Sequence, residues 1–149
     1  MSLYQQLQER ERHQNPIRVG LIGAGKFGAM YLAQIPRTPG VHLVGIADLS
    51  PDAAKANLKR VGWDMNQIQA KSIEMAVQEK SCFITDDWTK LVNAPQIDVI
   101  VECTGNPIAA VEHCLKAFSQ GKHVVNVTVE ADAFCGPLLA KKAKEPKVI

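Results

Sequence analysis

The chain has 149 residues, a net charge of +2, and 46% hydrophobic against 21% charged residues, the size and balance of one folded globular domain. With 17 Lys and Arg against 15 Asp and Glu, and no basic cluster interleaved with aromatics, the composition argues against nucleic acid or an anionic membrane as partner. No apolar run reaches the ~18 residues of a membrane span and no secretory h-region opens the chain, so the expected compartment is the cytoplasm.

Residues 1–15 read as a leader helix, with Leu3 and Leu7 on one face of a polar run, lying on the domain or on a partner subunit. Asn15-Pro16 ends it. The run IRVGLI from Ile17 reads as a buried strand, followed at once by Gly23-Ala24-Gly25-Lys26-Phe27-Gly28 and an apolar segment with helical spacing up to Pro36. Strand, Gly-x-Gly-x-x-Gly and helix in that order form a dinucleotide-binding fingerprint. Gly23 allows the sharp turn, Gly25 the approach of backbone to a diphosphate, and Gly28 the close packing of helix on strand. The amides and positive dipole end of that helix favour the same anion. VHLVGIA from Val41 is a second buried strand and ends in Asp48. That acid lies about 20 residues beyond the third glycine, where the fingerprint places the group that binds the adenosine ribose. The alternative is a glycine turn with a purely structural role.

Ser50-Pro51 is a helix start, and the helix runs to Gly62. Residues 66–80 form a second helical pattern, 82–85 a short strand, and Asp86-Asp87 the cap of a helix over 88–92. Ile97 to Cys103, IDVIVEC, is the most strand-like run. Pro107 opens a helix closed by Gly121, His123 to Val127 is a strand, and a helix over 131–144 takes Asp132 as its cap. Lys147-Val148-Ile149 reads as the opening of a further strand. The βαβα alternation predicts an α/β fold: a Rossmann-type doubly wound parallel sheet with an N-terminal leader helix, residues 16–149 being the dinucleotide-binding domain. A hydride-transferring enzyme also needs a substrate domain, so the sequence is expected to be a piece of a longer protein.

Ligands of such a sheet sit beyond the carboxyl ends of the strands. That rule selects Gly23 to Gly28, Asp48 with Leu49, Thr104-Gly105-Asn106, and Asn126 with the residues after it. Asp48 has no adjacent Arg, which predicts NAD, because a carboxylate repels a 2′-phosphate. Lys26 or Lys55 reaching in would admit NADP. Thr104 offers a hydroxyl donor at the nicotinamide side, and Glu130 is the candidate substrate contact. Cys82, Cys103, Cys114 and Cys135 have neither CxxC nor metal-ligand spacing and read as small buried hydrophobes in a reducing compartment, so no metal is expected. His113, His123, Trp63 and Trp88 read as structural. No catalytic acid, base or nucleophile stands out.

Three runs, NPIRVGLIGAGKFG, TDDWTKLVNAPQIDVIVECTGNP and GKHVVNVTVEADAFCGP, together resemble the N-terminal nucleotide-binding domain of homoserine dehydrogenase-like proteins. The closer resemblance is to the branch with a C-terminal SAF domain, which includes the reductoisomerase-like enzymes that make methylerythritol phosphate. The resemblance implies an NAD(P)-dependent oxidoreductase acting on a small-molecule substrate, with catalytic residues mainly in a downstream domain and a homo-oligomer as a compatible assembly. It implies further that Gly23, Gly25, Lys26, Phe27 and Gly28 hold the diphosphate, Asp48 the adenine ribose, and Thr104, Gly105 and Asn106 the nicotinamide side. Homoserine dehydrogenases carry Asn-Lys after the fifth strand, where this chain has Asn126-Val127. Glucose-fructose oxidoreductase and inositol dehydrogenase-type enzymes are the second resemblance. They share the glycine turn, the acid and a GKHV-like run, but continue in Glu-Lys-Pro, where this chain reads Glu130-Ala131-Asp132. A non-catalytic dinucleotide sensor is the alternative of a different class.

Overall fold

Five apolar runs pair side by side into one parallel sheet in the structure, a computed structural model that describes residues 1–149. They are β1 (Ile17–Ile22), β2 (Val41–Ala47), β3 (Phe83–Thr85), β4 (Val99–Glu102) and β5 (His123–Asn126), in the order β3-β2-β1-β4-β5. The chain winds outward from β1 in one direction, then returns past it to β4. The β1/β4 boundary is therefore the switch point at which a doubly wound sheet opens a crevice. Right-handed crossovers need a helix between parallel strands, and the sequence supplies them. These are α2 (Lys26–Gln34), α3 (Pro51–Arg60), α4 (Ile73–Glu79), α5 (Thr89–Val92) and α6 (Pro107–Ser119), with α1 (Leu3–Arg12) before the sheet and α7 (Val129–Lys144) after it.

Side chains that alternate along the strands divide the core into two layers. Val19, Leu21, Leu43 and Ile46 pack with Leu32 of α2 and Leu58 of α3 on one face. Ile22, Val44 and Ile100 pack with Ile73 of α4, Leu91 of α5 and Ala117 of α6 on the other. A bulge shifts the β1–β2 register between Val19 and Gly20, so that Leu43 and Ile46, three apart, both reach the first face.

Several sequence expectations need correction. Residues 66–80 are not one helix. Asp64 caps a single 3-10 turn, Met65–Ile68, and Ala70 bridges to Phe83 before the Ser72 hydroxyl accepts from the Met75 amide and starts α4 afresh. The apolar spacing continues across that break, but two competing caps divide the segment. Asp132 does not cap the last helix, which begins three residues earlier at Val129 and is interrupted at Cys135, just before Gly136-Pro137. Residues 147–149 form no strand, although the Ile149 carbonyl accepts from the Val124 amide of β5 at 2.8 Å. The leader helix forms, with a Ser2–Gln5 capping box, yet buries none of its residues. It is tied to the domain mainly where Glu11 Oε2 accepts from the Gly40 amide at 2.8 Å.

Candidate dinucleotide site

The carboxyl ends of β1, β2 and β4 open into a groove of about 470 Å³. Its floor is the turn from β1 into α2. Gly23 has φ +92°, and a Cβ there would lie 2.8 Å from the Cys103 carbonyl and the Thr104 amide, so only glycine lets this turn pass under the β4–α6 connection. At Gly28 a Cβ would stand 2.5 Å from the Gly23 carbonyl oxygen, which seats α2 against the turn. Gly25 differs: a Cβ there would meet nothing within 4 Å, and the residue faces the groove. The α2 N-terminus has no side-chain cap. The first-turn amides are thus left for a ligand, and the space beside them is of the kind a diphosphate fills.

Asp48, at the end of β2, holds this arrangement in place. Its Oδ2 accepts from the Ala24 amide at 2.8 Å and its Oδ1 from the Ser50 amide at 2.9 Å. Each oxygen keeps acceptor capacity for a ribose hydroxyl. Leu49 is 97% exposed at the groove edge, where an adenine could cover it.

The opposite end of the groove is built on Glu102, the last residue of β4 and fully buried. Its Oε1 accepts from the Thr104 hydroxyl at 2.5 Å, from the Thr104 amide at 3.3 Å and from His113 Nδ1 of α6 at 3.1 Å. Its Oε2 accepts from the Thr128 hydroxyl. Burial pushes the Glu102 pKa up, but the hydrogen bonds from His113, Thr104 and Thr128 outweigh it and hold the carboxyl below its ordinary value. Next to it, burial and the Glu102 charge push the Cys103 thiol up to about 12, so the groove holds no thiolate nucleophile. Trp88 closes this end, its ring 4.5 Å from that of His113.

Of the residues singled out from sequence, Gly23, Gly25, Asp48, Leu49, Thr104 and Asn106 line one groove. Lys26, Phe27 and Gly28 form the first turn of α2 beneath it, and Gly105 sits in the same loop as Thr104 with φ +70°. Asn126, the last residue of β5, and Glu130, in the first turn of α7, do not line the groove. Asn126 Nδ2 donates to the Thr128 carbonyl at 3.3 Å, its Oδ1 is buried without a partner, and Glu130 is exposed. The Thr104 hydroxyl donates inward to Glu102 instead of into the groove. Sequence reasoning missed Glu102 and Thr128 and read His113 and Trp88 as packing only. The signal was there: an acid closing the apolar strand IDVIVE has no place in a buried sheet unless it is paired. A separate cavity of about 340 Å³, lined by Arg18, His42 and Lys80, opens at the amino ends of the strands, away from the fingerprint.

Residues 23–148 match the family described as the NAD-binding domain of homoserine dehydrogenase. The chain belongs to this family. It is 31% identical over 134 residues to homoserine dehydrogenase of Methylobacillus glycogenes, covering 86% of this chain and 29% of that protein. A homoserine dehydrogenase structure from Thiobacillus denitrificans superposes with a TM-score of 0.70 at 25% identity, over 89% of this chain and 28% of that one. The fold is shared with myo-inositol dehydrogenase of Lactobacillus casei, solved with NAD(H) and myo-inositol, with a TM-score of 0.56 at 20% identity over 74% of this chain and 28% of that one. The chain thus spans under a third of the length of the homoserine dehydrogenases it matches, and the part it spans is their NAD-binding domain. No helix is long and apolar enough to cross a membrane.

Proposed function

We propose that this domain holds NAD for hydride transfer to a small-molecule substrate that is seated by another domain of the whole protein. The observation that carries the reading is the groove itself: open space over Gly25, an uncapped α2 and the Asp48 carboxylate lie along one wall. In this reading the amides of Lys26, Phe27 and Gly28 bind the diphosphate, Gly23 and Gly25 give it room, and Asp48 takes the adenine-ribose hydroxyls while Leu49 covers the adenine. Thr104, Gly105 and Asn106 border the nicotinamide, with Asn126 and Glu130 further along on the substrate side. The cofactor supplies the hydride chemistry; these residues bind and orient it. NAD is preferred over NADP because Asp48 would face a 2′-phosphate.

The GKHVVNVTVEAD run supports the SAF-containing, reductoisomerase-like branch as the finer placement, and four free cysteines set among apolar neighbours support a reducing cytoplasmic compartment. Assembly into a homo-oligomer is part of the same proposal. Calorimetric titration of the 149-residue chain with NAD, NADH, NADP and NADPH at one ionic strength tests it. Saturable binding with NAD(H) tighter than NADP(H) is expected. Absence of binding by all four would overturn the cofactor role, and tighter NADP(H) would overturn the part given to Asp48.

A further inference from the structure

A fully buried carboxylate is costly to desolvate, and apolar residues of similar volume often serve stability as well or better. Glu102 therefore calls for an explanation in what it does to its neighbours. An ionised carboxylate only accepts, so the Thr104 and Thr128 hydroxyls must both donate to it. Each hydroxyl oxygen is then left to accept. Thr104 Oγ1 accepts from the Asn106 amide at 3.2 Å, and Thr128 Oγ1 from the Gly105 amide at 3.1 Å. The Thr104 amide goes to Glu102 itself at 3.3 Å. Asn106 Oδ1 is taken by the Ile108 and Ala109 amides, both at 3.1 Å.

All three backbone N–H groups of the Thr104–Asn106 turn and the Thr104 hydroxyl are thus committed inward. The turn can offer a ligand the Thr104 and Gly105 carbonyls, the Asn106 carbonyl being taken by the Ala110 amide, and the Asn106 carboxamide N–H₂, but no backbone donor. Such a surface suits a group that brings its own donors and no negative charge, and it disfavours phosphate. Of the two ends of a dinucleotide, the amide-bearing nicotinamide riboside fits this description and the diphosphate does not.

From this network we infer that Glu102 is a positioning residue: acting through Thr104 and Thr128, it fixes the polarity of the Thr104–Asn106 turn so that this end of the groove takes the nicotinamide half of the cofactor. The inference rests on the proposed NAD-binding role, and its test separates the two. ADP-ribose shares the adenosine, diphosphate and second ribose of NAD but lacks the nicotinamide. The wild-type chain should bind both by calorimetry, NAD more tightly. Glu102→Gln keeps the volume but can donate as well as accept, so the direction of each hydrogen bond is no longer fixed. In this variant NAD affinity should fall about tenfold while ADP-ribose affinity stays within about twofold.

Thr128→Val, which leaves the carboxylate but removes the acceptor of the Gly105 amide, should show the same selective loss, with thermal unfolding of both variants as the check on folding. Equal losses for the two ligands in a folded variant, or no loss for either, would overturn the inference and leave Glu102 a purely structural residue. Wild-type chain that bound neither ligand would overturn the cofactor reading itself. Wild-type chain that bound both equally would retain that reading and overturn only the nicotinamide end.

Discussion

In the proposed binding mode, the two ends of the groove recognise the cofactor by different means. At the adenosine end the protein offers backbone: a glycine turn, the open amides of α2, and Asp48, which binds the Ala24 amide of the same turn at 2.8 Å. At the nicotinamide end it offers a polarity imposed by side chains from three segments, Glu102 with Thr104, His113 and Thr128, around one buried charge. The first end depends on space and the second on proton direction. A site built on missing Cβ atoms is lost by adding atoms, whereas one built on hydrogen-bond polarity is lost by changing charge at constant shape.

The largest effect is expected from Gly25→Val. The position opens on the groove with nothing within 4 Å, so the fold should tolerate the side chain, losing about 1 kcal/mol because valine is a poor residue at the start of a helix. NAD and ADP-ribose affinity should both fall by at least about 100-fold, since the side chain fills the approach of the diphosphate common to both. Denaturant unfolding beside calorimetry reads the two quantities. Affinity unchanged in a folded variant would show that the turn is structural only.

The pH dependence of stability sharpens the contrast from the other end. The folded pKa of Glu102 lies below its ordinary value, so the folded state favours the ionised form. The resulting stability is fully present above the unfolded value, about 4.3, and is lost as pH falls through the lower folded value. Glu102→Gln has no such titration. The wild-type advantage over Glu102→Gln, expected at about 1–3 kcal/mol near pH 7, should shrink steadily below about pH 4.5. Chemical denaturation at a series of pH values measures it. A gap that stays constant on acidification would mean that the charge of Glu102 contributes nothing beyond its shape.

The same division governs how much could be read from the residues alone. The strands, the glycine turn and Asp48 were legible because each is a local necessity: a β-rich apolar run, a turn that only glycine can make, an acid at a fixed distance along the chain. Glu102 was hidden because two of its three partners, His113 and Thr128, lie 11 and 26 residues away, and only the β4–β5 register, which sets Glu102 opposite Asn126, brings Thr128 to it. His113 looked structural for the same reason, with its carboxylate partner on a different element. The break inside residues 66–80 was missed for a local reason. Apolar periodicity continues across Ser72, but the Asp64 and Ser72 side chains each cap a new turn, and those caps decide where the helix starts.

The smallest predicted effect is the one that ties the two ends together. In the proposed binding mode Asp48 is the one side chain at the adenosine end that both holds the turn, through Oδ2 on Ala24 and Oδ1 on Ser50, and chooses the ligand with the acceptor capacity that remains. Asp48→Asn keeps one accepting oxygen and replaces the other with a donor. One of the two amides then loses its acceptor, which weakens the turn for every ligand alike, while loss of the charge relieves repulsion of a 2′-phosphate and of nothing else. NAD affinity should therefore fall modestly, and the ratio of NAD to NADP affinity should drop about tenfold. The NAD to ADP-ribose ratio, which reads the far end of the groove, should not move. A drop in all three affinities by one common factor would mean that Asp48 only braces the glycine turn, leaving cofactor choice to residues elsewhere along the groove.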